Sequence, residues 1–74
     1  MRRTTGFVIC IDNKGNEASL IRGKIYRALP DARAAKDDLV RIVDESGEDY
    51  LYPSKWFVSV KIPQAVKISL LRAS

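Results

Sequence analysis

With 74 residues, 46 % of them hydrophobic, 30 % charged and a net charge of +4, the chain makes one small domain. That balance excludes a disordered segment, and no apolar run approaches the roughly 18 residues of a membrane-spanning helix. A domain this short buries only about 60–65 % of its unfolded surface, which favours a small recognition module over a body with a deep catalytic cleft.

The missing residue types narrow the chemistry further. The chain has no histidine and one cysteine, Cys10, so a zinc site of the usual kind and a Ser–His or Cys–His catalytic pair are excluded within one chain. There is no phosphate-binding glycine loop. Asp44-x-Ser46-Gly47-x-Asp49 has the wrong spacing for a calcium loop. The expectation is therefore no enzyme, no cofactor and no metal. Cys10 lies inside the apolar run Val8–Ile11 and reads as a small buried hydrophobe. The start, MRRTTGFVICID, is basic and then apolar, but its run stops at Asp12, too short for a signal-peptide core. With a single cysteine, this points to a cytoplasmic protein. The basic residues are scattered, with only Arg2 and Arg3 adjacent, whereas Asp44, Glu45, Glu48 and Asp49 crowd one turn.

The first predicted element is a strand over Phe7–Ile11, closed by the turn residues Asp12–Gly15. Asn13–Ala18 is a loop. Gly23 interrupts the next apolar set and predicts a bulge or turn feeding a strand over Lys24–Leu29. Pro30 ends it. Asp31 is placed to cap one helical turn over Ala32–Lys36, too short to stand as an independent helix.

Leu39–Glu45 and Asp49–Tyr52 flank Ser46-Gly47, a hairpin signal. With Ser46-Gly47 as a two-residue turn, Val43 faces Tyr50, Ile42 faces Leu51, and Arg41 lies across the Tyr52 ring. Asp44 then opposes Asp49 and Glu45 opposes Glu48; a four-residue loop, Glu45–Glu48, relieves part of that repulsion. The acidic tip reads as a solvated loop, or as a place where a cation or basic partner docks. Pro53 breaks the strand, and Ser54-Lys55-Trp56 forms a corner with a short 3₁₀ turn. Phe57–Ile62 alternates, with Val58, Val60 and Ile62 on one face. After Pro63 a short helix is favoured, although Val66, Ile68 and Leu70 also alternate as in a strand.

About five short strands joined by tight turns must close on themselves or leave costly edges. The fold class expected is all-β: a small five-stranded barrel over residues 1–62, with a short C-terminal helix over 63–74 packed on it. Two segments resemble a Src-homology-3-type (SH3-like) barrel. Leu20-x-x-Gly23-Lys24-Ile25-x-x-x-Leu29 is similar to the strand after that fold's first long loop. Gly47 with Tyr50-Leu51-Tyr52-Pro53-Ser54-Lys55-Trp56-Phe57-Val58 resembles its Gly…Leu-Phe-Pro-Ser-Asn-Tyr-Val signature. Cys10–Asn13, Leu29–Asp31 and Val43–Pro53 together look like small bacterial proteins of uncharacterised function that share a short barrel and a proline-headed C-terminal segment. That second likeness implies no activity. In the peptide-binding members of the first family an aromatic groove takes a polyproline ligand, and Pro53 and Trp56 match its proline and tyrosine, with Glu17 as a first-loop acid. The groove tryptophan is replaced by Leu39, and the first-strand tyrosine motif by Phe7–Asp12, which removes most of the stacking surface.

Function is therefore expected from a contact surface. The leading candidate is a protein–protein interaction module using Tyr50, Tyr52, Pro53 and Trp56, with Arg41 beside them, toward an unnamed protein partner. The alternatives are weak nucleic-acid binding through Arg41, Tyr52, Lys55 and Trp56, helped by Arg22, Lys24 and Arg27, or an oligomeric structural or regulatory subunit, a monomer or weak dimer associating through Val66, Ile68, Leu70 and Leu71.

Overall fold

Five antiparallel strands form one curled sheet, a half-barrel, in a computed structural model that describes residues 6–73. The strands are β1 (Gly6–Cys10), β2 (Ile25–Leu29), β3 (Leu39–Val43), β4 (Asp49–Pro53) and β5 (Phe57–Ser59). Their order across the sheet is β4-β3-β2-β1-β5. Helix α1 (Ala32–Lys36) joins β2 to β3, and helix α2 (Gln64–Ala73) ends the chain. The fold is all-β with a short C-terminal helix. Arg2 and Arg3 lie outside the described residues, as do the side chains of Leu70 and Leu71.

The concave face carries the core. Val8 and Cys10 of β1, Tyr26 and Ala28 of β2, Val40 and Ile42 of β3, Tyr52 of β4 and Phe57 of β5 all point into it. Leu20, fully buried, reaches in from the long loop between β1 and β2. That loop folds on its own backbone: Asn13 Nδ2 donates to the Leu20 carbonyl at 2.9 Å, and Leu20 N–H donates to Asn16 O at 3.0 Å. Gly23 closes it with φ +85°, at the third position of a turn in which Lys24 N–H returns to Ile21 O. Cys10 then faces two residues at once, accepting from Gly23 N–H and donating to Lys24 O, the two-against-one pairing of a bulge.

Asp31 caps α1 as expected: its Oδ1 accepts from Ala34 N–H at 3.0 Å, and Ala34 is buried beneath the turn. Ser54–Trp56 forms the expected 3₁₀ corner between the two edge strands. Ser54 N–H donates to Asp38 O, and Ile11 N–H donates to Trp56 O, so the corner is tied to both β3 and β1 sides. Pro63 precedes a helix, not a strand.

Two expectations are corrected. The strand expected over Phe57–Ile62 ends at Ser59, and its inward residue is Phe57, while Val58 is 48 % exposed. Phe57 lies opposite Cys10, whose side chain faces the core, and this fixes the parity of the strand. The hairpin register also differs by one residue. Ile42 faces Tyr50, Arg41 faces Leu51 and Val40 faces Tyr52. The loop has three residues, with Gly47 N–H donating to Asp44 O at 3.0 Å and Gly47 at φ +84°. A turn of this kind, closed by a left-handed glycine, satisfies strand twist and sets Asp44 opposite Glu48 instead of Asp49. Because side chains alternate, the one-residue slip changes every cross-strand partner.

Candidate functional site

The slip in register decides what the hairpin presents. Tyr52 is 7 % exposed and belongs to the core; its ring stacks with Trp56 (centroids 6.3 Å apart, planes 29° apart) and tilts against Phe57. Trp56 is half-buried against the same cluster. Arg41 lies on the opposite, convex face and does not touch the Tyr52 ring as expected. Its guanidinium bridges two carboxylates instead: Nε donates to Asp31 Oδ2 and an Nη to Asp49 Oδ2, both at 2.9 Å. These bonds hold the Arg41 pKa above its ordinary value, the Asp49 bond first. The cap bond from Ala34 N–H, followed by the Arg41 bond, lowers that of Asp31.

Glu45 to Asp49 are exposed, as expected of a solvated tip, but Asp44 departs from that expectation. Asp44 is 6 % exposed. Its Oδ1 accepts from Ser46 N–H (2.9 Å) and Ser46 Oγ (2.6 Å), and its Oδ2 accepts from the Tyr52 hydroxyl (2.6 Å). Burial pushes this carboxyl up, but the Ser46 and Tyr52 hydrogen bonds outweigh it and hold the pKa below the usual aspartate value. Next along the chain, Glu45 accepts from the Tyr26 hydroxyl and from Lys24 Nζ at 2.6 Å, and the Lys24 bond leads in lowering its pKa. Tyr26 in turn accepts from Ile21 N–H at 2.8 Å. Two core tyrosines thus hold two consecutive carboxylates, and both phenols are pushed up, by burial first and then by the carboxylate each one meets. The lone thiol, Cys10, is buried in the core, and that burial pushes its pKa up.

What stays accessible is the outer side of β4 and the corner beyond it. Tyr50 is 49 % exposed and its hydroxyl donates to Glu48 at 2.9 Å. Leu51 is 42 % exposed. Pro53 and Trp56 are half-buried, and Lys55 is exposed. Of the expected set, Tyr50, Pro53 and Trp56 lie at one edge, Tyr52 is withdrawn into the core, and Arg41 sits on the convex face opposite Leu51 with its guanidinium held by Asp31 and Asp49. Leu51 is the residue the sequence reading missed. Pro53 gave the signal for it: a proline inside a strand marks an edge, and its exposed neighbour is then part of that edge.

β4 is an edge strand with a definite polarity. Asp44 N–H donates to Glu48 O, and Ser54 N–H donates to Asp38 O. These bonds fix the even-numbered residues of β4 as the ones bonded to β3. The amides and carbonyls of Asp49 and Leu51 therefore point away from the sheet, together with the carbonyl of Pro53. The proline sits where its missing N–H costs no internal bond.

Among the described residues, no three carboxylate or thiol side chains gather to hold a metal ion, and no helix is long and apolar enough to cross a membrane. No family model, curated protein or solved structure matches the chain.

Proposed function

We propose that this chain is a small binding module that acts by protein–protein contact, through the outer edge of β4 and the adjoining corner. The contact residues are Tyr50, Leu51, Pro53 and the exposed part of Trp56. The observation that carries this reading is the edge itself: outward-facing backbone groups at Asp49 and Leu51, flanked by two half-exposed apolar side chains. An extended partner segment adding to such an edge gains main-chain hydrogen bonds and side-chain contacts together. The strand order, with a 3₁₀ corner between the edge strands, supports assigning the half-barrel to the Src-homology-3-like type. The lone buried thiol supports a cytoplasmic setting.

Nucleic-acid binding is less well supported, because two of its cations are occupied: Arg41 by Asp31 and Asp49, Lys24 by Glu45. The test is quantitative affinity capture from the native cell extract with the wild-type chain and with a Tyr50→Ala, Leu51→Lys variant. Both substitutions lie on exposed positions, so circular dichroism should show an unchanged fold. Loss of the captured partner in the variant is expected; identical capture by both chains overturns the reading.

A further inference from the structure

We propose that β4 pairs antiparallel with β4 of a second copy of this chain, about a two-fold axis through Leu51. This pairing names a partner for the contact edge described above and rests on that reading of the edge.

The backbone sets the register. Only odd-numbered residues of β4 present their amides and carbonyls outward, so an added antiparallel strand must bond to Asp49, Leu51 and Pro53. With Leu51 on the axis, the two Leu51 residues exchange both of their backbone bonds. Asp49 N–H of each copy then reaches the Pro53 carbonyl of the other. Pro53 offers no N–H, and in this register the one acceptor left to water is the Asp49 carbonyl. β5, the opposite edge, is shorter, with three residues against five, and gives a poorer template.

Charge selects the direction. The strand is acidic at its start, with Glu48 and Asp49, and basic just past its end, at Lys55. Between them lie the half-exposed Tyr50 and Leu51. Antiparallel pairing lays the acidic end of each copy beside the basic end of the other, and does so twice by symmetry. Parallel pairing in register would set Glu48 against Glu48 and Lys55 against Lys55. Lys55 is exposed and has no carboxylate partner among the described residues, so it is available for this role. At the centre, Leu51 meets its own copy, which removes apolar surface from water at the point farthest from both charged ends.

The test uses the full chain in sedimentation equilibrium over a concentration series reaching about 1 mM, with amide exchange measured in parallel. The wild-type mass should rise from 8.3 kDa toward twice that value. The amides of Asp49 and Leu51 should gain protection as concentration rises. Leu51→Lys places two ammonium groups together on the axis and should leave the chain monomeric. Lys55→Glu should weaken the dimer about threefold to tenfold, and adding Glu48→Lys to it should restore association. A wild type that stays at 8.3 kDa throughout overturns the pairing, as does a dimer that Leu51→Lys leaves intact, or one the double charge swap fails to restore. A monomeric wild type that still loses its captured partner in the Tyr50→Ala, Leu51→Lys variant overturns self-pairing and leaves the contact edge standing. A dimer whose extract capture is unchanged by that variant overturns only the reading of a different protein as partner.

Discussion

The two sides of one hairpin behave in opposite ways. On the side facing the core, Asp44 is held by Ser46 and Tyr52, the exposed Glu45 beside it takes Tyr26 and Lys24, and among the described residues no buried side-chain polar atom lacks a partner. On the outer side of β4, backbone donors and acceptors at Asp49 and Leu51 face solvent beside two half-exposed apolar side chains. The inner side fixes the hairpin's shape; the outer side is left to make contacts. Four acidic residues in one turn suggest a single charged patch, but the fold divides them. Asp44 serves the interior, Glu45 ties Lys24 and the Tyr26 hydroxyl at the surface, Asp49 anchors Arg41, and Glu48 stays with the edge beside Tyr50.

The largest expected break in this comparison is Asp44→Ala. It leaves the Tyr52 hydroxyl without its acceptor in a buried setting and removes the turn bonds to Ser46. A loss of about 2–4 kcal/mol in denaturant unfolding is expected. Tyr52→Phe removes one of those bonds and keeps the ring stacked on Trp56, so the loss should be smaller, about 1–3 kcal/mol. If Tyr52→Phe costs nothing, the inner side is not the anchor of the hairpin.

Next in size is the response to acid and base. Asp44, Glu45 and Asp31 all have folded pKa values below the ordinary carboxylate range. At low pH the unfolded chain therefore binds more protons than the folded one. Their contribution to stability is fully present above that range and is lost as pH falls through the lowered values. Tyr26 and Tyr52 have raised pKa values, so their contribution is complete below pH 10, the ordinary tyrosine value, and is lost as pH rises beyond it. Thermal melts from neutral pH in both directions should fall at each end, and Asp44→Asn should flatten the acid limb. An acid limb identical in Asp44→Asn and wild type would show that the Asp44 carboxylate carries none of this linkage.

The smallest effect should come from the edge. Leu51→Lys and Lys55→Glu touch no internal bond of the described structure and should shift the stability of the dilute monomer by no more than about 0.5 kcal/mol. A larger loss from Leu51→Lys would mean that the convex face needs Leu51 for its own packing and is not a free surface.

Much of the local structure was legible in the sequence because local chemistry decides it. Asp31 before an alanine-rich turn made a cap, Gly23 made a bulge, Pro53 stopped a strand and Pro63 opened a helix. The candidate site was legible only in part. Residue type and position pointed alike to Tyr50, Tyr52, Pro53 and Trp56, but Tyr50 is exposed whereas Tyr52 is buried. Its burial follows from pairing with Val40, whose side chain faces the core, and no local signal distinguishes that register from one shifted by a residue.

By itself, then, the sequence determined the class of fold and the order of its elements, both properties of residue type and short-range spacing. Tertiary structure decided which tyrosine is core and which is surface, where Arg41 finds its charges, and which side of β4 is open. Those outcomes turn on a single residue of register, set by a three-residue turn at Gly47 and by the demand of two buried tyrosine hydroxyls for acceptors, and both become visible only when the strands are paired.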